Sequence, residues 1–309
     1  MSGSPTVGAR LNVWGAKLGI WLINLTANWS QAARTRLAHA LSDLVWWLAW
    51  PRRHVTLTNL RLCFPDMPEE ERRRIGRQTF RDLARAALDH SVLWNADRAS
   101  IERYIRIEGE EHLRAVAGTP VIMVAPHFAG LDSGGVRFST LLRAASIYSR
   151  QKNPVWDEWL LKGRQRFNDP ILLPRQGIDM RAVVRLVRQG VPLYYLPDMD
   201  LGPVNSIFVP FFGVPAATIP MVSRIARMSG AKVMMAVTEM TDDGYVLHIE
   251  PPWQDFPGES VEADTLRMNQ ELERWVLRLM TQYFWTHKRF KTRPPGEPDF
   301  YRPEVGSKA

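Results

Sequence analysis

The sequence predicts an α/β fold in which a mostly parallel central sheet is covered by helices, preceded by an N-terminal membrane-associated helical segment. From residue 119 onward, short apolar runs alternate with stretches of helical periodicity, a pattern typical of strands covered by helices. Six of the twelve tryptophans lie within the first fifty residues. Tryptophan prefers the membrane–water interface because it joins an apolar ring to a polar N–H group.

The N-terminal stretch predicts two helices, over residues 11–28 and 31–50. Its longest uncharged part, 18–33, has 16 residues, fewer than the roughly 20 that a transmembrane helix needs. It also lacks the apolar core and the small-residue cleavage site of a signal peptide. Arginines at positions 34, 36, 52 and 53 flank it, so we expect it to lie on a bilayer with anionic headgroups. An ordinary amphipathic helix packed on the domain is the alternative.

In the second of these helices, apolar residues share one face at helical spacing: Leu37, Leu41, Leu44, Val45 and Leu48. Pro51 is expected to end this helix, and helices over 52–64 and 68–94 follow. We therefore divide the chain into N-terminal amphipathic membrane-associating helices, residues 1–50, and a single α/β domain, residues 51–309.

The strands and helices of the second region follow from their periodicity. Strands are predicted over 120–125, 145–149, 171–173, 192–197, 207–211, 231–238 and 245–250. Helices are predicted over 130–143, 154–168, 178–189, 217–229 and 261–287.

The first of these strands ends next to an imidazole. The apolar run 121–125 is typical of a strand buried on both faces; His127 follows it, and Asp132 comes five residues later. A carboxylate that holds the Nδ1 proton of a histidine leaves Nε2 free to accept a proton from a hydroxyl. We interpret His127 as a candidate general base and Asp132 as its orienting partner. A half-buried histidine followed by a helix-capping aspartate is the alternative.

Further candidate site residues lie at or after other strands. Asp198 follows the strand 192–197, and ligands of such sheets bind at the carboxyl ends of strands. Asp200 lies in the same P-D-M-D motif, while Arg150 follows strand 145–149 and Arg164 lies in G-R-Q-R-F-N. Arginine binds phosphate through two hydrogen bonds. A surface charge or a buried ion pair is the alternative for either arginine.

Two other stretches are unusual. Residues 208–215 read F-V-P-F-F-G-V-P, and prolines 210 and 215 argue against a regular central strand. This stretch is predicted to line an acyl-chain slot or enter a membrane, or else to form a core strand with a tight turn. The basic cluster 287–293 is typical of a nucleic-acid or phosphorylated-lipid site, or of a helix C-terminus.

The composition favours an anionic partner. The net charge is +8 and the pI is near 9.9, which suits nucleic acid, a phospholipid surface, an acidic carrier protein or a phosphorylated substrate. The single cysteine, Cys63, excludes an internal disulfide and a cysteine-rich metal site. No Walker loop, G-x-G-x-x-G, H-E-x-x-H or zinc-finger spacing is present, so nucleotide and zinc chemistry have no support.

Together these segments resemble the bacterial lipid A biosynthesis (late) acyltransferases, which are related to the glycerolipid acyltransferases with an H-x-x-x-x-D box. The resemblance covers nearly the whole chain. It rests on N-L-R-L-C-F-P at 59–65, H-F-A-G-L-D at 127–132, S-R-Q-K-N-P at 149–154, G-R-Q-R-F at 163–167, P-D-M-D-L-G-P at 197–203, F-V-P-F-F-G-V-P-A-A-T at 208–218 and Q-Y-F-W-T-H-K-R-F-K-T-R-P at 282–294.

The resemblance implies transfer of a fatty acyl chain from acyl carrier protein to a hydroxyl of a phosphorylated lipid A precursor of the Kdo-lipid IVA type. It also implies a location at the cytoplasmic face of the bacterial inner membrane, with the membrane surface as a partner and no nucleic acid. The acyl donor is an activated thioester, so no cofactor and no metal are expected. His127 and Asp132 would be catalytic, and Arg150, Arg164, Asp198 and Asp200 would bind substrate.

Two alternatives remain open. A sibling acyltransferase would act on a lysophospholipid, an amino-acid lipid or another glycolipid. A non-enzymatic basic protein that binds membranes or nucleic acid would make the His–Asp box incidental.

Overall fold

The computed structural model describes residues 7–302, with side chains from residue 12 onward. A series of helices precedes the sheet, and later helices connect and cover its strands. The helices are α1 (Val7–Leu25), α2 (Gln31–Leu48), α3 (Trp50–Cys63), α4 (Glu69–Leu93), α5 (Arg98–Tyr104), α6 (Glu110–Ala115), α7 (Leu131–Leu141), α8 (Pro154–Arg164), α9 (Met180–Arg188), α10 (Met221–Ser229) and α11 (Val261–Arg278).

The strands are β1 (Ile105–Glu108), β2 (Val121–Val124), β3 (Ala145–Tyr148), β4 (Ile171–Pro174), β5 (Leu193–Tyr195), β6 (Ile207–Phe211), β7 (Val214–Thr218), β8 (Lys232–Thr241) and β9 (Gly244–Ile249). Within the described residues, the central sheet has seven strands in the order β1-β9-β8-β2-β5-β3-β4. Its neighbouring strands are parallel except for β8 and β9. The prediction of a mostly parallel sheet covered by helices is confirmed.

Strand β2 lies at the centre of this sheet between β8 and β5. Its side chains alternate between two apolar layers: Ile122 and Val124 pack in the core beneath α9, α10 and α11, whereas Val121 and Met123 pack on the side of α6 and α7. A side-chain period of two explains the alternation. The strand is therefore buried on both faces, as its uninterrupted apolar run predicts.

The predicted helix over 261–287 is shorter in the structure, where α11 ends at Arg278. Residues 282–284 instead pair with residues 127–129: the Ala129 N–H donates to the Gln282 carbonyl at 2.7 Å, and the Phe284 N–H donates to the His127 carbonyl at 3.0 Å. This pairing keeps residues 282–284 out of α11, although the periodicity of the sequence favours a longer helix. The elements β1, β7, α5 and α6 were not predicted from the sequence.

The N-terminal helices pack on α4 through polar contacts. Arg34 of α2 donates from Nε to the buried Asp89 carboxylate at 2.9 Å, and Thr26 donates to Ser91 at 3.0 Å. Among residues 7–302, no helix is both long enough and apolar enough to cross a membrane. The division of the chain at residue 50 stays a prediction.

The apolar stretch 208–215 forms an antiparallel hairpin, β6–β7, outside the central sheet. Pro210 and Pro215 face each other, and the turn between them uses Phe212 and Gly213, both with positive φ. A two-residue turn of this kind matches the twist of a hairpin. Phe211 is buried in the main core, and Val209 is also buried. The structure therefore favours a core strand with a tight turn.

Candidate active site

The sheet topology brings the predicted residues His127 and Asp198 together. Strands β2 and β5 are parallel neighbours, and their pairing continues where the Ala125 N–H donates to the Tyr195 carbonyl at 2.8 Å. Both chains then leave the sheet at the same edge, because parallel strands end on the same side. His127 and Asp198 are the second and third residues beyond these paired positions.

His127 and Asp198 form a two-point contact. The His127 Nδ1 atom lies 2.7 Å from Asp198 Oδ1, and the His127 backbone N–H donates to Asp198 Oδ2 at 3.0 Å. The Asp198 side chain is only 1% exposed. Burial alone would raise the pKa of this carboxyl, but the His127 imidazole and these hydrogen bonds outweigh burial and hold that pKa below its ordinary value. The ring of Phe284 stacks on the imidazole, with 6.1 Å between the two ring centroids.

This contact corrects the predicted partner of His127. Asp132 was expected to orient the imidazole, and Asp198 was expected to bind substrate; the structure instead places Asp198 at Nδ1. An ionised carboxylate accepts only, so in the neutral imidazole Nδ1 carries the proton and Nε2 keeps its lone pair. Within the described part of the chain, Nε2 has no hydrogen-bond partner, and the His127 side chain is 21% exposed. The imidazole can therefore accept a proton from a ligand.

Asp132 binds Arg164 and His90 instead. The Arg164 guanidinium donates from Nε to Asp132 Oδ1 at 2.8 Å and from Nη2 to Oδ2 at 3.2 Å. His90 Nε2 lies 3.1 Å from Oδ2. Burial would raise the pKa of the Asp132 carboxyl, but the Arg164 charge and the His90 hydrogen bond hold it well below its ordinary value. Asp132 does not orient His127 because it lies on the first turn of α7, where its side chain faces α8 and α4.

Both carboxylate oxygens of Asp200 accept hydrogen bonds from the protein. Its Oδ1 accepts from the Gly202 N–H at 2.9 Å and from the Thr292 hydroxyl at 2.8 Å, and its Oδ2 accepts from the Thr292 N–H at 2.6 Å. Asp200 is 2% exposed. Asp200 therefore joins the loop after β5 to the C-terminal segment, and its role in substrate binding stays a prediction.

The basic cluster 287–293 is largely folded inward. Arg289 is buried and donates to the Ala217 carbonyl at 3.0 Å and to the Thr218 hydroxyl at 2.9 Å. His287 accepts at Nε2 from the Asp200 N–H at 3.1 Å, and burial lowers the pKa of His287 to about 4. These inward contacts leave fewer of its charges at the surface, and the cluster is not a helix C-terminus, since α11 ends at Arg278.

Arg150 lies apart from these contacts. It is exposed on the loop that follows β3, at the same edge of the sheet as His127. Across residues 7–302 the structure gives its guanidinium no hydrogen bond or ion pair. Its role in substrate binding stays a prediction.

His90 is the site residue that sequence reasoning missed. It lies on α4, 42 positions before Asp132, and no motif marks it. His287 was seen only as part of a basic run. Their positions depend on how distant segments pack, so periodicity and spacing carry no signal for either residue.

Comparison with known proteins places this chain in a family. The model of the bacterial lipid A biosynthesis acyltransferase family matches residues 7–292. The chain is 32% identical over 293 residues to the lipid A biosynthesis lauroyltransferase of Escherichia coli strain K12, covering 93% of this chain and 95% of that protein. It is 31% identical over 256 residues to the palmitoleoyltransferase of the same strain, covering 81% and 82%.

A third relative, the lipid A biosynthesis myristoyltransferase of Escherichia coli strain K12, is 29% identical over 294 residues, covering 94% of this chain and 90% of that protein. The names of the three relatives specify different acyl groups, yet each relative matches most of this protein. The protein therefore belongs to the bacterial lipid A biosynthesis acyltransferase family.

Proposed function

We propose that this protein transfers a fatty acyl chain from the thioester of acyl carrier protein to a hydroxyl of a Kdo-lipid IVA type precursor, with His127 as general base. The observation that carries the proposal is the His127–Asp198 contact, in which Nδ1–H donates to the carboxylate and Nε2 is left free. A hydroxyl is a poor nucleophile near neutral pH, and imidazole accepts protons in that range. Family membership supports the acyl transfer and the lipid A acceptor.

The reaction needs a single proton acceptor. As the hydroxyl oxygen attacks the thioester carbonyl, a C–O bond forms and Nε2 of His127 takes the hydroxyl proton. The tetrahedral intermediate then collapses, the C–S bond breaks, and His127 returns the proton to the departing sulfur. Asp198 stabilises the imidazolium between these steps, in the manner of the third member of a hydrolase triad. A thioester is already activated, so the proposal includes no metal and no cofactor.

Two groups are candidates to stabilise the oxyanion. Among residues 7–302, neither the Gly130 backbone N–H nor the Arg164 Nη1 atom has a hydrogen-bond acceptor. Gly130 lies three residues after His127, and Arg164 is anchored through its other nitrogens to Asp132. Donors that are held in place before the reaction are effective stabilisers of developing charge.

The charge of the chain suits both substrates. The net charge of +8 favours an acidic carrier protein and a phosphorylated acceptor. Exposed Arg150, at the edge of the sheet where His127 lies, is proposed to bind one of these anions. No nucleic acid is part of the proposal, because the interior contacts of the basic cluster 287–293 remove its main support.

The N-terminal helices are proposed to lie on the cytoplasmic face of the inner membrane. The buried face of α2 contains Arg34, Ala38, Ser42 and Trp46, so the face with most of its leucines points outward: Leu41 is 44%, Leu44 57% and Leu48 73% exposed. On α1, Trp14 is 72% and Trp21 56% exposed. Large exposed apolar surfaces mark interaction sites, and tryptophan suits the lipid interface.

The test is acyl transfer by the purified full chain, with acyl carrier protein thioesters as donors and Kdo-lipid IVA as acceptor. His127→Ala is expected to abolish transfer while circular dichroism shows a retained fold. His112→Ala, which removes a partly exposed histidine on α6, is the matched control. Near-normal activity of His127→Ala would contradict the mechanism.

Lipid A from a deletion strain tests the acceptor. Mass spectrometry should show the loss of one acyl group, whose mass also reports the chain length. An unchanged lipid A, together with transfer to a lysophospholipid, an amino-acid lipid or another glycolipid, would identify a sibling acyltransferase. Binding to anionic vesicles without transfer to any acceptor would identify a non-enzymatic protein.

A further inference from the structure

His90 has hydrogen-bond partners that restrict its protonation. Its Nδ1 atom lies 2.9 Å from the Ala86 carbonyl oxygen, one turn earlier in α4, and its Nε2 atom lies 3.1 Å from Asp132 Oδ2. A carbonyl oxygen can only accept, so Nδ1 must donate. An ionised carboxylate can only accept as well, so Nε2 must also donate. Both conditions hold together only for the doubly protonated imidazolium.

The carboxylate at the centre of this contact is ionised. Arg164 donates two hydrogen bonds to Asp132 at 2.8 and 3.2 Å, and such charge-assisted pairs favour the ionised acid. Asp132 therefore lies between two cations, one from α8 and one from α4. The three groups, on three helices, together carry a charge of +1, which favours an anion beside the Arg164 guanidinium.

Two tryptophan rings pack against His90. The Trp94 ring lies edge-on to the imidazole at 4.9 Å, and the Trp159 ring is tilted against it at 5.7 Å. This aromatic packing restricts the orientation of the imidazole. Gly163 allows this packing, since a Cβ atom there would lie 2.2 Å from the Trp94 ring. The same packing places Arg164, the next residue, beside Asp132.

We propose that His90, held as an imidazolium by α4, is a positioning residue that fixes Asp132 and through it the Arg164 guanidinium. Two hydrogen bonds from Arg164 alone leave the Asp132–Arg164 pair free to tilt about the side chain of Asp132. The third hydrogen bond, from a different helix, removes that freedom. The inference deepens the acyl-transfer proposal and rests on it for the catalytic consequence, but the contact itself is independent of activity.

The contact is tested by ¹⁵N NMR of the full chain in detergent micelles near pH 7.5. Wild-type His90 should show two protonated ring nitrogens, and the Asp132→Asn variant should show one. The Arg164 Nε–H signal should be sharp in the wild type and broadened or shifted in His90→Leu. A singly protonated His90 in the wild type, or an Arg164 signal unchanged by His90→Leu, would overturn the proposal whether or not the protein transfers acyl chains.

The catalytic consequence is tested by kinetics. His90→Leu should lower kcat about tenfold or more and leave KM for both substrates within about threefold, because a misplaced catalytic group affects the reaction step. His90→Gln keeps a donor near the position of Nε2 and should recover part of the loss. His112→Ala is the control and should behave as wild type.

The outcomes separate the two proposals. Wild-type kcat in His90→Leu, or equal loss in the Leu and Gln variants, would overturn the positioning role. An inactive wild type would reject the acyl-transfer proposal and would leave the NMR result to decide on His90.

Discussion

The Nδ1 atom of His127 lies 2.7 Å from Oδ1 of Asp198, a residue 71 positions further along the chain. Asp132, only five positions away, faces Arg164 and His90. The imidazole and the guanidinium are thus held by different carboxylates. Each carboxylate has separate partners, so substitutions at the two should have different consequences.

Asp198→Asn should reduce acyl transfer at least about a hundredfold. An amide cannot stabilise the imidazolium that forms during the reaction, and it can present an N–H to Nδ1 and thereby favour the wrong tautomer. The check is kcat with acyl carrier protein thioester and Kdo-lipid IVA. The structural control is the circular dichroism spectrum, which should not change. Activity within about threefold of wild type would show that Asp198 does not serve His127.

Asp132 and Arg164 should behave as one unit. In a double-mutant cycle of Asp132→Asn and Arg164→Lys, the double variant should lose about as much kcat as the worse single variant. The reason is that either change breaks the same bidentate pair, giving a coupling of about 1–3 kcal/mol. The exposed pair Arg106–Asp243, at 2.8 Å, is the control, and its cycle should show no measurable coupling. Additive losses at Asp132 and Arg164 would contradict this view.

His287 should make the fold sensitive to acid. Burial lowers the pKa of His287 from 6.5 to about 4, so folding favours the neutral ring. The contribution of the neutral His287 ring to the free energy of unfolding is fully present above pH 6.5 and is lost as the pH falls toward 4. Between pH 7 and pH 5 the loss is about 2 kcal/mol.

The measurement for His287 is urea unfolding of the wild type and His287→Gln at several pH values. Glutamine retains an acceptor for the Asp200 N–H but does not titrate. The difference between the two unfolding free energies should therefore change by about 2 kcal/mol between pH 7 and pH 5. If the unfolding free energies of the two proteins change equally with pH over this range, His287 is not the group that makes stability depend on pH.

Two adjacent glycines of α7 should respond oppositely to alanine. A Cβ atom at Gly134 would lie 1.9 Å from the Thr238 hydroxyl, whereas one at Gly135 has its nearest neighbour, a carbon of Tyr194, at 3.9 Å. Gly134→Ala should therefore destabilise the protein by about 1–3 kcal/mol and lower activity, because displacing α7 moves Asp132. Gly135→Ala should stabilise it by up to about 1 kcal/mol, since alanine favours helix.

Urea unfolding of both glycine variants provides the measurement. Each serves as the control for the other, because they share a helix and differ only in what the added methyl group meets. Equal effects would indicate that α7 is not held against β8 as described.

Trp47 and Leu48 should contribute to membrane binding. They are 67% and 73% exposed on α2, so replacing both with serine should not disturb the core. Loss of two apolar side chains from the lipid interface should weaken binding to phosphatidylglycerol vesicles about tenfold or more. Co-sedimentation measures this binding, and Met228→Ser, on α10, is the control.

Unchanged vesicle binding of the Trp47→Ser, Leu48→Ser variant would assign the membrane contact to another part of the protein. Point substitutions test membrane binding more specifically than deletion of residues 1–50. The deletion would remove Arg34 and leave the buried Asp89 without that partner, so it would also damage the fold.

The sequence predicted most of the architecture, because the signals for these elements are local. The apolar run of β2, the repeating strand–helix pattern and the helices over α2, α3 and α4 follow from side-chain periods of 2 and 3.6. His127 and Asp198 were also predicted to lie at strand ends. The motif order of the chain further identified its family, which the comparisons confirm.

The partners of those side chains were decided only in three dimensions. Asp132 and Asp198 are both carboxylates near a strand end, and spacing along the chain favoured the nearer one. The adjacency of β2 and β5 selected Asp198, since it makes the carboxyl ends of two strands meet. In the same way, packing of α4 against α7 and α8 brought His90 to Asp132, and pairing of residues 282–284 with 127–129 ended α11 early. The sequence determined which groups reach the active edge of the sheet; tertiary contacts decided which of them touch, because contact depends on strand order and helix packing.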